Sequence, residues 1–372
     1  FDNLGLGGRG PRARNIDTII QRESKLVTAE LAEPTAAIAD LLPRTGTYAL
    51  ANIPSTTAVA AVTEVGLADM KGDASERTGV MGLEVLDDAT MVVFPDIMSP
   101  RVVDRLGRDG VIAMQEAILT HCSLMKDRFA ILDAPAGLRP QQIKDYKQNG
   151  PFDSSYGALY YPWIKVANPY AGQAGEPTLI EVPPSGHMAG LYARIDGTRG
   201  VHKAPANEVI MGANGLGFQV THAEQGGLNK VGINCIRSFP GRGIRIWGAR
   251  TLSSDPEWRY INVRRLFNYV SESIMEGTQW SVFEPNDQRL WTQLSISVSN
   301  FLTRVWRDGA LFGTDASQAF YVKCDEETNP PELIEAGQVT CEVGIAPVKP
   351  AEFVVFRLSQ FTGGGEAEAE EE

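Results

Sequence analysis

The stretch Gly232–Leu266, GINCIRSFPGRGIRIWGARTLSSDPEWRYINVRRL, decides how the rest of the chain is read. It has the order strand, loop, helix. Ile233–Ile236 is a short apolar run, Pro240 with Gly241 and Gly243 makes a turn, and Ile244, Ile246 and Trp247 resume a buried strand. Ser254 or Asp255 then stands where a helix cap belongs, with Pro256 and Glu257 in the first helical turn.

Working back from this stretch, Thr90–Phe94 is an apolar β-branched run ended by Pro95 and Asp96, as expected of a buried parallel strand. Val111–Met125 repeats apolar residues at helical spacing, and Phe129–Leu132 is a second buried strand closed by DAPAG. Strand, helix, strand of this length predicts a βαβ unit and an α/β sheet. Tyr156–Val166 and Thr178–Val182 are further strand candidates, and a helix follows from Gly190. Ala49–Val65 fits either a strand or a small-residue helix, and the pattern leaves both open. The Gly- and Arg-rich opening, Phe1–Arg14, reads as an extended lead-in. It begins on Phe1, not Met, without the charged-then-apolar order of a signal peptide, as a fragment would.

Beyond Leu266 the organisation changes. Trp258, Ile261, Leu266, Val270 and Ile274 fall near one helical face, with Gly277 as a stop. Gln279–Phe283 reads as a short strand, and a second amphipathic helix is predicted from about Asn286 to Arg307, with Gly309 beyond it. Phe320–Cys324, Val339–Ile345 and Glu352–Phe361 are strand candidates, giving an α+β two-layer domain. Trp247, Trp258 and Trp291 are expected in its core. The last strand is apolar on both faces and follows the proline-rich linker APVKPA, so it can add to the sheet of another copy or fold back into its own; periodicity leaves both open. GGGEAEAEEE, which closes the chain, has the composition of a solvated tail.

Composition narrows the function classes. The 372 residues suffice for two domains, and a formal net charge of -12 argues against a broad basic surface for nucleic acid. Four cysteines at 122, 235, 324 and 341 show no metal-ligand spacing and read as reduced, buried thiols of a cytosolic chain. No run approaches the ~20 apolar residues that span a bilayer. GLGGRG near the start lacks the Lys and Ser/Thr of a P-loop, and GANGLG at Gly212–Gly217 lacks dinucleotide spacing and reads as a tight turn. His202 and His222 are too far apart for a paired metal site. No cofactor, metal or catalytic constellation is expected.

The stretch Ile233–Leu266 resembles the sheath proteins of contractile phage tails and of phage-like contractile injection systems. The likeness continues in GTQWSVFEPNDQRLW, WRDGALFG and EVGIAPVKPAEFVVFRLSQ, and upstream in ERTGVMGLEVLDDATMVVFPD, AILDAPAGLRPQQIKDY, YGALYYPWIKV and PPSGHMAGLYAR, so it covers roughly Glu76 to Phe361. The resemblance implies an α/β subtilisin-like domain without a catalytic triad, followed by an α+β two-layer C-terminal sheath domain. On that basis residues 1–21 are a lead-in, 22–252 the subtilisin-like domain, 253–361 the C-terminal domain with a terminal exchange strand, and 362–372 the acidic tail. SGHMAG at Ser185–Gly190 resembles the segment around a subtilisin nucleophile, but His187 holds the serine's place, Ser185 lies two residues early, and His121, the one upstream histidine, reads as structural.

The function implied is a structural sheath subunit, polymerising with itself as stacked hexameric rings around an inner tube and contracting to drive it through a target envelope. Assembly in the cytoplasm and a final place in a virion tail or injection particle go with it. Expected partners are the inner tube, baseplate and cap proteins and a possible second sheath protein, with no nucleic acid and no membrane insertion. The inter-subunit strand is expected at Glu352, Phe353, Val354, Val355, Phe356, Arg357 and Leu358, and the tube contact at Arg289, Arg304 and Arg307. The family's usual N-terminal arm motif, like PGVYVEE, is not in these residues, through truncation, a companion sheath protein or a different linkage. A peptidase-like α/β hydrolase and a baseplate or cap component of the same machine are the alternatives.

Overall fold

The computed structural model describes residues 65–172 and 177–352. Continuous apolar runs make its main sheet. Phe129–Asp133 (β2) and Gly157–Tyr161 (β3) are buried at every position, which is how a strand covered on both faces must read. With Met91–Val93 (β1), Ile233–Phe239 (β7) and Gly243–Trp247 (β8) they form a five-stranded sheet in the order β1-β2-β3-β7-β8. All pairings are parallel except β7 with β8, a hairpin turned at Gly241 and Gly243, whose φ angles of 69° and 76° favour glycine.

Successive strand residues feed opposite layers. Ala130, Leu132, Leu159, Tyr161, Ile233 and Cys235 pack under helices Pro100–Met125 (α2), Pro140–Asn149 (α3) and His222–Lys230 (α5). Phe129, Ile131, Ala158, Tyr160 and Ile236 pack on the other side against Ser185–Arg199 (α4) and Ile261. Each large apolar side chain fully buried this way contributes roughly 1.5–3 kcal/mol. Helix α2 begins eleven residues before the predicted Val111, because its first turns are polar outside; Gly107, at φ 65°, breaks it into two pieces. A short helix, Leu67–Lys71 (α1), precedes it.

Tyr156–Val166 is two strands, not one. A cis peptide bond at Tyr161-Pro162 separates β3 from Ile164–Ala167 (β4), which leaves the main sheet and pairs with Leu179–Val182 (β5) and Ala213–Leu216 (β6) in a three-stranded antiparallel sheet. GANGLG is therefore not one tight turn: Ala213–Leu216 is β6, with Gly212 in the turn before it and Gly217 in the bend after it. Helix α4 starts at Ser185, five residues before the predicted Gly190.

The C-terminal portion packs two helices, Ile261–Gly277 (α6) and Gln288–Arg307 (α7), against an antiparallel hairpin of Phe320–Lys323 (β9) and Glu342–Ile345 (β10). Asp287 caps α7 by accepting from Arg289 N and Leu290 N, and Leu290, Leu294, Val298, Leu302 and Val305 face inward as their spacing predicts. Two short helices, Ala316–Ala319 (α8) and Pro331–Glu335 (α9), flank the hairpin. Among the described residues no helix is long and apolar enough to cross a membrane.

Three expectations fail here. The segment Gln279–Phe283 is no strand: Gln279–Ser281 is a turn of 3-10 helix, and Phe283 is fully exposed at φ 67°. Ser254 and Asp255 do not open α6, which starts at Ile261; Ser254 N and Oγ instead donate to the Asp153 carboxylate at 2.9 and 2.7 Å. Of the three tryptophans only Trp291 is buried. Trp247 is half-buried in the main sheet, stacked on Phe239, because Ile244 and Ile246 take the inward positions and alternation turns it the other way. Trp258 lies before α6 and covers the Arg264 guanidinium at 3.4 Å.

Candidate functional site

The site is built where the chain returns to the central unit at Glu352. Asn234 interrupts the apolar run of β7 and is fully buried. Its side chain pairs with the backbone of Arg250, accepting from Arg250 N at 2.8 Å and donating to Arg250 O at 2.7 Å. A side chain at Gly248 would sit 2.8 Å from Asn234 Oδ1, so glycine is what lets the two segments approach. Arg250, thus fixed, grips the Glu352 carboxylate with two hydrogen bonds of 2.8 and 2.5 Å, and Tyr260 Oη and Asn229 Nδ2 complete the grip at 3.2 Å each.

Burial opposes the charge on Glu352, but the Arg250 and Asn229 hydrogen bonds, the Arg250 charge and the Tyr260 hydroxyl outweigh it and hold the carboxyl below its ordinary range. A depressed carboxyl pKa adds stability above its unfolded value, and that stability is lost as the pH falls through the folded one. The clasp therefore holds at neutral pH and opens in acid. The expected strand start at Glu352 is thus corrected: the residue is an ion-pair anchor outside any strand. Phe353, Val354, Val355, Phe356, Arg357 and Leu358 lie outside the described residues, as do residues 1–64 and 362–372.

The linker before Glu352 is also less free than its prolines suggested. Ala346 N donates to Ala319 O, Phe312 N to Ala346 O, Val348 N to Ala310 O, and Asn262 Nδ2 to Val348 O. Beside it an open groove of about 330 Å³ runs between α6 and β10, lined by Phe267, Val270, Ile274, Val343 and Ile345. Among the described residues the hairpin pairs only with itself, and the outer edge of each strand meets no other described strand. Exposed apolar side chains gather on the same portion: Tyr269, Met275, Trp280, Val282, Phe283, Phe312 and Tyr321. Val65, Val85, Leu86, Leu124, Tyr170, Leu179 and Met211 are exposed on the central portion, so apolar side chains reach the surface on both portions.

Arg289, Arg304 and Arg307 are all exposed on α7, and none forms an ion pair among the described residues. At 1.5 Å per residue Arg289 stands roughly 22 Å from Arg304 along the axis. They share a helix side without forming a cluster. Arg304 and Arg307 sit in the last turn, where positive charge complements the helix dipole.

At the C-terminal edge of the main sheet, Ser185 and Asp133 do meet. Asp133, last residue of β2, accepts the Ser185 amide at 2.7 Å and so caps α4 from across the sheet. The Ser185 hydroxyl is buried without a hydrogen-bond partner, and no imidazole is placed to take its proton. His187 lies near Gly212, and His121 is buried beside Arg128 Nη1 at 3.4 Å. Burial lifts the Asp133 pKa from 3.8 to about 6, against the pull of the Ser185 amide. A carboxyl whose folded pKa exceeds its unfolded one binds more protons when folded, so stability falls as pH rises from about 3.8 to 6 and stays lower above it. Asp133→Asn, which keeps an acceptor for Ser185 N, is therefore expected to stabilise the fold by about 2–3 kcal/mol at pH 7.5, with the gap closing by pH 4. Urea midpoints at the two pH values check this; an equal gap at both would put the burial cost elsewhere.

Comparison with known proteins bears on what this surface covers. Residues 108–252 match the model of the phage tail sheath protein central domain, and residues 253–361 that of the phage tail sheath C-terminal domain. A chain of the PVC sheath complex, an extracellular contractile injection system in its contracted state, is 34% identical, with a TM-score of 0.63 over 76% of this chain and 75% of that one. The chain belongs to the phage tail sheath family. Within it, the tail sheath protein of Vibrio phage KVP40 is 29% identical over 48% of this chain, which spans only 26% of that relative. A chain in the six-fold symmetrised baseplate of the anti-feeding prophage is 34% identical, with a TM-score of 0.57, covering 71% of this sheath protein and 72% of that chain. The family boundary at 252/253 separates the main sheet from the portion holding α6, α7 and the hairpin. The Asn234–Arg250–Glu352 chain escaped the sequence reading; its one signal was a lone amide inside the run INCI.

Proposed function

We propose that this chain is the structural sheath subunit of a contractile, phage-tail-like injection device. In this reading copies stack as hexameric rings around an inner tube and contract as rigid bodies to drive that tube through a target envelope. The carrying observation is the 34% identity to the PVC sheath chain over three quarters of both molecules. Its central α/β unit is then a subtilisin-like scaffold that supports assembly, not hydrolysis, in keeping with a Ser185 hydroxyl that has no base. No cofactor is required, because the energy of contraction is set at assembly and released as inter-subunit contacts improve. The subunits assemble in the cytoplasm before forming part of a virion tail or injection particle, with baseplate, cap and a second sheath protein as neighbours. Electron microscopy of the full-length protein tests the reading: long hollow cylinders support it, and compact particles under every assembly condition oppose it. A position within the baseplate is the second reading, favoured by the likeness to a chain of the anti-feeding prophage baseplate.

For the inner tube, the exposed Arg289, Arg304 and Arg307 supply unpaired positive charge to an acidic surface. Single exposed pairs contribute only ~0–1 kcal/mol, yet repetition along a stack multiplies them. Reversing all three to Glu is expected to release sheath from tube in co-sedimentation while leaving the subunit's melting temperature within about 2 °C. Unchanged co-sedimentation places the tube contact on another face.

A further inference from the structure

Two of the four cysteines stand opposite each other. The β9–β10 ladder pairs Lys323 with Glu342, and the next step of the same antiparallel register sets Cys324 against Cys341. Directly opposed residues hold their Cα atoms about 4.5–5.5 Å apart, inside the range a disulfide needs. The two side chains are both partly buried, whereas Cys122 and Cys235 are buried deep under the main sheet. The expectation of four buried thiols is corrected by this pair.

The neck of the loop they bound is already fixed. Asn329, itself buried, accepts from Thr340 N at 2.6 Å, donates to Thr340 O at 3.1 Å, and approaches Cys324 Sγ at 3.9 Å. Inside the loop, Ile334 and Val339 pack with Cys324 on Leu290, Trp291 and Leu294 of α7.

We propose that Cys324 and Cys341 are a redox site that closes to an intrachain disulfide, clasping residues 325–340 onto α7 when the protein enters an oxidising medium. The oxidant is a low-molecular-weight disulfide of the glutathione class. Cys324 Sγ, as thiolate, attacks one sulfur of that disulfide and expels one thiol; Cys341 Sγ then attacks Cys324 Sγ and expels the second. Two protein thiols give up two electrons and two protons, and one small disulfide becomes two thiols. Burial raises both protein thiols, Cys341 to about 12, so closure is slow at neutral pH and speeds about tenfold per pH unit while thiolate stays scarce.

The test uses the full-length reduced protein, incubated with oxidised glutathione at pH 8.5, alkylated, and cleaved after glutamate. Glu326, Glu327, Glu332 and Glu335 lie between the two cysteines, so the Cys324 and Cys341 peptides separate unless they are joined. The expected result is a fall in titratable thiols from four to two, with those two peptides linked within one chain and freed by dithiothreitol. Cys341→Ser is expected to stall at a glutathione adduct on Cys324; should that variant not fold, the linked wild-type peptides decide. Four thiols remaining, stable glutathione adducts on both cysteines, or a link between chains each overturns the proposal.

Discussion

Arg128→Met is expected to destabilise the protein by about 3–5 kcal/mol, a large share of the ~5–15 kcal/mol that holds a typical fold. Arg128 has no exposed surface. Its guanidinium makes two bonds to the Asp127 carboxylate, at 2.7 and 2.9 Å, and donates to Leu83 O at 2.8 Å and Leu86 O at 2.9 Å. One side chain thus ties the turn of 3-10 helix at Met81–Val85 to the end of α2 and the start of β2. Methionine fills a similar volume but donates nothing, so two carbonyls and a carboxylate lose their partner together, and each unsatisfied group costs about 1–3 kcal/mol. His121 shares this corner, its pKa lowered by burial and by the Arg128 charge. A depressed histidine pKa subtracts stability as the pH falls below the ordinary value of 6.5, so wild type should weaken in mild acid as well. Urea unfolding reads the loss as a shifted midpoint at constant slope. A shift worth under 1 kcal/mol would show that water replaces the guanidinium.

What the sequence disclosed follows from where the partners of each residue lie. β2 was legible because a strand covered on both faces has to be apolar throughout, a property of the run itself. Helix α7 was legible for a similar reason: Asp287, the inward leucines and Gly309 all lie within the segment they define. The start of α6 was not. Pro256 and Glu257 look like a first turn, but Asp153, a hundred residues away, holds Ser254 in a loop, and Thr251 Oγ1 donates to Trp258 O. Helix α6 also carries two kinds of face. Leu266, Val270 and Ile274 gave the apolar stripe, whereas Arg264 lies between the rings of Tyr156 and Trp258, and Arg265 pairs with Asp196 above Tyr192. Those buried arginines join α6 to the central unit, and nothing in a local pattern distinguishes them from a solvated face. The candidate site divides the same way: exposure of Arg289, Arg304 and Arg307 follows from helical spacing, whereas the grip on Glu352 depends on residues from four separate segments.

Ending the chain after Glu352 is expected to leave a folded subunit that builds no contractile cylinder. Every core cluster of the described residues lies before this point, and Glu352 keeps its bonds to Arg250, Tyr260 and Asn229, so the melting temperature should stay within about 3 °C of the full-length value. Assembly is another matter. Residues 353–361 carry the apolar run FVVFRLSQF, and the groove beside β10 offers apolar walls and an edge that no other described strand pairs with, of the kind that accepts an added strand. A strand received from another copy gives several backbone hydrogen bonds and buries Phe353, Val355 and Phe356, at roughly 25 cal/mol for each Å² of apolar surface covered. Residues 346–348 are bonded to the body and Glu352 is clasped, so if this strand links two copies, rotation between them is not expected to be absorbed in the prolines before Glu352. Arg250→Ala moves that fixed point and should give cylinders that form but lose order, whereas removing residues 363–372 alone should leave assembly intact. Electron microscopy and thermal melts of the three variants separate the cases. If truncation after Glu352 unfolds the monomer, the strand belongs to its own sheet; if the truncated protein still forms cylinders that contract intact, the subunits are linked by another surface.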